Sequence, residues 1–349
     1  MREAYAPGVN ARHPVRVIGI GASAGGVDVL VKLVSALPAD LPHAVCIVLH
    51  VPPAGRSMLG TILGRYTALP VITPQRREPL AAGRIFVAPP DRHLLVRPGY
   101  VVLDRGPKEN GVRPAVDTML RSLAAAYGAE GVAVILSGAL GDGANGALAV
   151  AQAGGTVIVQ DPEDAVVPSM PERALATVGT VDRVVPAAEI GATLAALPDA
   201  AAEVREHVGI SAPGDMIEES RNRPEGPATG FTCPECSGAL WEVREGQLLR
   251  YRCRIGHAYS EDAMLIEQGS AVEAAMWSAL EVLEERVELL KTMAERRAGS
   301  HPRLHERLRA GARDAEERAG LLRRALTTGG DRPDALRLAD DAEAAGRAE

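Results

Sequence analysis

The sequence predicts an α/β protein: a doubly wound, mostly parallel sheet with helices on both faces, followed by a small Cys/His segment and a C-terminal helical hairpin. Three observations carry this. From Pro14 to Leu197, short β-branched runs bounded by Gly, Pro or Asp alternate with Ala-rich stretches, the pattern of a parallel sheet with crossover helices. Three of the four cysteines fall between residues 230 and 260. Beyond residue 261 apolar residues recur at alternating steps of four and three, the seam of paired helices.

The strands expected are Val15–Ile20, Ala44–Leu49, Arg84–Ala88, Tyr100–Leu103, Val132–Leu136 and Thr156–Gln160. Helices are expected at Gly26–Ala36, Ala115–Tyr127, Ala144–Ala153 and Ser169–Val178. Arg97-Pro98-Gly99 reads as a turn, so Arg84–Ala88 and Tyr100–Leu103 are expected to pair as an antiparallel hairpin. Residues 1–13 read as a polar tail, 14–197 as one α/β domain, 198–229 as a Pro/Gly-rich linker and 230–260 as a compact Cys/His module. Residues 261–325 read as a helical hairpin broken at Gly299-Ser300-His301-Pro302, and 326–349 as a disordered tail. Met276, Leu280, Leu283, Val287, Leu290 and Ala294 form one seam; Leu304, Leu308, Ala312, Ala315, Ala319 and Leu322 form a weaker second. The seam closes on the second helix or is offered to a coiled-coil-type partner through residues 271–325.

Composition narrows the function. With Lys+Arg 38 against Asp+Glu 45, the net charge of −7 argues against a general nucleic-acid binder. No apolar run is long enough to span a bilayer, and the N-terminus has no apolar signal core. Four cysteines in 349 residues do not make a disulfide scaffold, so a cytoplasmic, soluble protein that is not membrane-inserted is expected.

The turn after the first strand, Val17-Ile18-Gly19-Ile20-Gly21-Ala22-Ser23-Ala24-Gly25-Gly26, fits two motifs. Gly19, Gly21 and Ala24 match the dinucleotide fingerprint G-x-G-x-x-G/A, and Gly21 to Gly25 match the nucleophile elbow G-x-S-x-G. The second strand ends in His50 rather than in the acid a dinucleotide ribose needs. A serine needs a base, and His50 at the end of a neighbouring strand can supply one. Ser23 serves equally as a helix N-cap. The base in turn needs an orienting carboxylate. Asp91, Asp104, Asp117, Asp142, Asp161 and Asp164 are candidates, and Asp142 is best placed. It follows the most apolar strand in a Gly-rich turn, where N-capping of the next helix is the competing role.

These segments together resemble the chemotaxis-type protein-glutamate methylesterase domain. The resemblance covers Pro14 to Leu197 and rests on VIGIGASAGG at 17–26, VLHVPP at 48–53, FVAPPDRHLLV at 86–96, RPAVDTML at 113–120, LSGALGDGANGAL at 136–148 and VQDPEDAVVPSMP at 159–171. It implies a Ser23–His50–Asp142 triad and hydrolysis of glutamate γ-methyl esters on the helices of chemoreceptor-type proteins, with methanol released. Glutamine deamidation is a variant on the same machinery, and no catalytic cofactor is implied. Backbone amides of Ala24 and Ala139 are the expected oxyanion donors, and Arg113, inside a family segment, is a substrate-binding residue or one half of a surface ion pair. The chain departs from many members where it reads Gly138-Ala139-Leu140 in place of a Met-bearing turn. Only residues 1–13 precede the first strand, so the receiver domain of well-known members is not expected. The competing reading is a catalytically inactive scaffold in a receptor array.

Cys233-x2-Cys236 and Cys253-x3-His257 supply four N/S ligands in two pairs, the spacing of structural zinc. The alternative is four reduced, unliganded side chains. Phe231, Trp241, Tyr251 and Tyr259 crowd this segment. They are expected to fill its small core rather than stack on nucleic-acid bases.

Overall fold

The structure, a computed structural model, describes residues 14–51, 57–198, 224–245 and 248–328. The tail 1–13, residues 199–223 of the expected linker 198–229 and residues 329–349 of the expected tail 326–349 lie outside them, and the Cys/His module's first strand already begins at Ala228, inside the expected linker. The described residues up to Ala263 form one compact unit, and those from Met264 a second.

Seven strands make one parallel sheet: β1 (Val17–Ala22), β2 (Ala44–Leu49), β3 (Val71–Ile72), β5 (Ile85–Val87), β8 (Gly131–Ile135), β9 (Thr156–Gln160) and β10 (Arg183–Val185), in the order β10-β9-β8-β1-β2-β5-β3. Every residue of β1, β2 and β8 is buried, as a sheet covered on both faces requires. Alternate residues divide between two clusters. Ala44, Cys46 and Val48 face α3 (Val116–Tyr127) and α4 (Ala144–Gln152). Val45, Ile47 and Leu49 face α1 (Gly26–Ser35), α2 (Leu59–Leu63) and α6 (Ala187–Ala195). A further helix, α5 (Ser169–Val178), packs beside α4. The doubly wound expectation therefore holds.

Gly21 sits where α3 crosses β1. A Cβ there would lie 2.2 Å from Val116 Cγ1, so glycine is required by helix–strand packing. Cys46 lies fully buried in β2, and burial pushes its thiol up to about 12.

The hairpin expectation needs correction. Ile85, Phe86 and Val87 are all buried, and β5 runs parallel between β2 and β3. The partner of β7 (Tyr100–Asp104) is instead β6 (His93–Arg97), joined to it by Pro98-Gly99. With β4 (Arg77–Pro79) they form a small antiparallel sheet.

The Cys/His segment folds as a four-stranded antiparallel sheet of β11 (Ala228–Thr232), β12 (Ala239–Glu245), β13 (Leu248–Cys253) and β14 (Ala258–Tyr259). Tyr259 is wholly buried, whereas Phe231, which meets Tyr251 edge-on at 6.1 Å, is 48% exposed, so of the aromatics expected to fill this core only Tyr259 is fully inside it.

Two helices follow, α7 (Glu261–Arg297) and α8 (Pro302–Thr328), the second starting on proline. Leu280, Val287 and Ala294 of α7 are buried, as are Ala312, Ala315 and Ala319 of α8. His305 Nδ1 bonds the Ala294 carbonyl at 2.8 Å, and Lys291 pairs with Glu316 at 2.6 Å. The seam therefore closes within the chain, and the expectation of a coiled-coil-type partner through residues 271–325 gains no support from it.

Candidate active site

Sheet order brings the site together. The chain runs outward from β1 to β2 and β5, then returns to the other side of β1 as β8. Ligands bind at the carboxyl ends of strands where such an order reverses. Ser23 follows β1, His50 follows β2, and the Asp142 turn follows β8. The register pairs Ala22 with Leu49, and the His50 amide donates to the Ala22 carbonyl at 3.1 Å. Ser23 and His50 are thus the next residues on strands about 4.8 Å apart.

The turn holding Ser23 is clasped by β8. Its amide donates to the Ser137 carbonyl at 3.0 Å, and Ser137 Oγ donates to the Ala24 carbonyl at 2.8 Å. A Cβ on Gly138 would stand 2.7 Å from Ser23 Cβ and 2.1 Å from Met170 Sδ, so glycine alone lets the two turns approach. The N-cap of α1 is Gly25, with no side-chain capping bond. Capping, the competing role for Ser23, is therefore not what its hydroxyl does.

His50 Nε2 bonds Asp142 Oδ2 at 2.7 Å, with His50 15% and Asp142 2% exposed. Imidazole Nδ1 takes no part in this bond, and among the described residues Ser23 Oγ and His50 share no hydrogen bond. Asp142 also accepts from the Val116 amide at 2.6 Å, the Asp117 amide at 3.1 Å and Asn110 Nδ2 at 3.2 Å. It does not cap α4, whose N-cap is Gly143. It caps α3 instead, where the positive helix end favours its charge.

Asp117 returns the arrangement. It lies in the first turn of α3 and accepts from the Gly143 amide at 2.9 Å and the Gly146 amide at 2.7 Å, capping α4. Asn145 and Asn110 complete its shell at 3.2 and 3.3 Å. Two buried aspartates thus cap each other's helices. Burial first, then the charges of Asp142 and Glu109, push the Asp117 carboxyl up to about 7, against Arg121 and Arg250. A carboxyl raised from 3.8 in the folded state binds its proton more tightly there than when unfolded. Its contribution to stability accordingly falls as pH rises from about 4 to about 7, and is level above. We expect the unfolding free energy of wild type minus that of Asp117→Asn to decrease from pH 4.5 to 7.5 (about two protonation states sampled) in urea titrations. A difference that rises with pH would contradict this.

The other expected residues divide. Arg113 is held by Asp91, with Nε to Oδ1 at 3.0 Å and Nη2 on the same oxygen, and its Nη1 donates to the Gly106 carbonyl at 2.6 Å. Its guanidinium is thus tied into the loop before α3. The Gly138 amide donates to the Val167 carbonyl at 2.9 Å and is committed there. Among the described residues the Ala24 and Ala139 amides have no backbone acceptor.

Sequence reasoning missed Asn110, Ser137 and Glu109. Asn110 is 3% exposed and adopts φ 52°, a left-handed conformation that asparagine tolerates. Burial works against the charge of Glu109, yet Arg121 and Arg250 hold its carboxyl well below the ordinary range. A signal existed for Asn110-Gly111, a turn dipeptide, but it carried no functional meaning on its own.

In the Cys/His module, Cys233, Cys236, Cys253 and His257 offer ligand atoms all within 4.8 Å of one another. Cys233 Sγ and Cys253 Sγ stand 3.6 and 3.5 Å from His257 Nδ1, and Cys236 Sγ 3.7 Å from Cys253 Sγ. A tetrahedral ion at ordinary Zn–S and Zn–N lengths sets its ligand atoms about 3.6–3.8 Å apart. The donor set and its spacing fit such an ion.

The CheB methylesterase family matches residues 18–194. The chain is 38% identical over 180 residues to a Symbiobacterium thermophilum protein named protein-glutamate methylesterase/protein-glutamine glutaminase, covering 51% of this chain and 49% of that protein. A Methanosarcina mazei protein of the same name, numbered 2, is 40% identical over 163 residues, 44% of each chain. The crystal structure of the Thermotoga maritima CheB methylesterase catalytic domain is 36% identical, with TM-score 0.49, and covers 52% of this chain and 97% of that one. The chain spans about half the length of the named relatives it matches. The family match takes in more than half of the chain, from the first strand of the parallel sheet to the last helix packed on it, and the chain belongs to the CheB methylesterase family.

Proposed function

We propose that this chain is a serine hydrolase that removes methyl groups from glutamate γ-methyl esters on chemoreceptor-type signalling proteins, and deamidates glutamine at such positions. The observation that carries it is the His50–Asp142 bond beside a serine turn on the adjoining strand. As Ser23 Oγ attacks the ester carbonyl, His50 Nδ1 takes its proton, and Asp142 stabilises the imidazolium through Nε2–H. Backbone amides of Ala24 and Ala139 hold the tetrahedral oxyanion. The intermediate collapses, the C–OCH3 bond breaks, and His50 returns the proton to release methanol. Water, deprotonated by His50, then attacks the acyl-enzyme, freeing glutamate and Ser23. Glutamine follows the same course with ammonia as the leaving group. Arg113, paired with Asp91 and bonded to the Gly106 carbonyl, holds the loop before α3. The scaffold alternative has no missing side chain to rest on, since Ser23, His50 and Asp142 are all present.

Receptor membranes carrying radiolabelled methyl esters test this directly. Wild-type protein is expected to release volatile label, and label that stays on the receptor would reject the reading. The named relatives support both activities, and release of ammonia from unmodified receptor measures the second.

We further place zinc on Cys233, Cys236, Cys253 and His257 Nδ1. With four protein ligands it has no open position and acts as a structural staple. Metal analysis is expected to give one zinc per chain (about one equivalent), lost in Cys236→Ser with a fall in melting temperature. An unchanged melting temperature after complete metal removal would reject the staple. Among the described residues no helix is long and apolar enough to cross a membrane. The cysteines form no disulfide, which supports a reducing, cytoplasmic location.

A further inference from the structure

The segment between β7 and α3 is where the Cys/His module meets the site. Lys108 pairs with Glu235, which lies between the two cysteines of the first ligand pair. Glu109 is bound from one side by Thr118 and Arg121 of α3 and from the other by Arg250 of β13, a fully buried cluster that draws one cation from each part. Next in line, the Asn110 amide donates to the Ala258 carbonyl at 2.8 Å, and Asn110 Oδ1 accepts from the Ser260 amide at 3.0 Å. Ala258 directly follows the ligand His257. The same side chain points its Nδ2 at Asp142 Oδ1, 3.2 Å away, and at Asp117 Oδ2, 3.3 Å away.

A primary amide is suited to this place. It offers two N–H donors, one for each of two buried carboxylates, and one carbonyl for the module's backbone. It brings no charge of its own to a spot that already holds two acids. The left-handed backbone at Asn110 is held from both ends, by the Ala258 contact and by the Glu109–Val112 backbone pair. We propose that Asn110 is a positioning residue that couples the Cys/His module to the triad: the metal-stapled strand β14 fixes the Asn110 amide, and the amide fixes the carboxylate that orients His50. Loss of the metal then weakens catalysis without any ligand leaving the active site. The module becomes a built-in sensor of metal supply for the hydrolase. This rests on the triad reading above.

The experiment uses the full chain and a fluorophosphonate probe, which Ser23 Oγ attacks at phosphorus with loss of fluoride. Labelling reads the triad without a receptor. Wild type and Asn110→Ala are each compared with zinc and after stripping with a chelator. Stripping is expected to slow labelling of wild type about tenfold or more, and of Asn110→Ala less than about twofold, because the link is already cut. Zinc-loaded Asn110→Ala should keep its metal content and, on receptor, show a lower kcat with KM within about twofold. In wild type, stripping should also speed hydrogen exchange at the Val116 and Asp117 amides, the donors to Asp142. Equal slowing of both proteins, or no slowing of wild type, would overturn the coupling while leaving the hydrolase reading intact. A zinc-loaded wild type that takes no label at Ser23 would instead overturn the triad and this proposal with it. Should Asn110→Ala fail to fold, Asn110→Ser replaces it, and the amide exchange of wild type decides on its own: no change on stripping overturns the coupling.

Discussion

Ser23→Ala should reduce methanol release by at least about 10⁴-fold and leave the protein as stable as before. The loss follows from chemistry. Without Oγ no acyl-enzyme forms, and what remains is the help given by the oxyanion amides and by substrate positioning. The unchanged stability follows from the packing. Ser23 is half-buried, and its two structural bonds are backbone bonds, its amide to Ser137 and its carbonyl from the Gly26 amide at 3.0 Å. Alanine keeps both. The hydroxyl does not cap α1, so no capping energy is lost. Unfolding free energy should move by less than about 0.5 kcal/mol. Turnover within tenfold of wild type, at full folding, would remove Ser23 from the reaction.

Much of this site was legible because strand ends are legible. Ala44–Leu49 and Thr156–Gln160 run as read from their β-branched residues. Once β1, β2 and β8 are adjacent and parallel, the turns that carry residues 23, 50 and 142 leave from the same rim. The fingerprint ambiguity at residues 19–25 could not be settled from spacing, because Gly21 answers to Val116, almost a hundred positions away (about the span from β1 to α3). The misassigned hairpin has a similar cause. Residues 85–87 and 93–97 are both short, apolar and buried, so only their pairing, parallel to β2 and β3 in one case and antiparallel to β7 in the other, tells the central strand from the hairpin strand. Asn110 and Glu109 were invisible for a different reason. Their meaning lies in partners contributed by the Cys/His module, Ala258, Ser260 and Arg250, far along the chain. No local pattern records a contact of that range.

Asp142→Asn should lose both activity and stability, which separates it from the serine variant. Four donors converge on this carboxylate: His50 Nε2 and the Val116 amide on Oδ2, the Asp117 amide and Asn110 Nδ2 on Oδ1. An asparagine side chain must put its NH2 at one of those two oxygen positions, where it faces donors only. Placed at the Oδ2 position, it forces His50 to accept at Nε2 and so to carry its proton on Nδ1, the nitrogen that must act as base. Placed at the Oδ1 position, it leaves the Asp117 amide and Asn110 without an acceptor in a buried site. Either choice also removes the negative charge that stabilises the imidazolium and the start of α3. The first choice implies a fall in kcat of roughly 10³–10⁴. The second implies a destabilisation of about 1–3 kcal/mol, from lost charged hydrogen bonds and capping. One term opposes the loss of stability. The Asp142 charge is among the causes that raise the Asp117 carboxyl, so its removal lets Asp117 ionise more readily and cap α4 at lower pH. The net destabilisation should therefore be smaller at pH 7.5 than at pH 4.5, a comparison that urea unfolding at the two values makes (about three pH units apart). Turnover by Asp142→Asn within tenfold of wild type would show that His50 needs no carboxylate behind it, and the triad would reduce to a dyad.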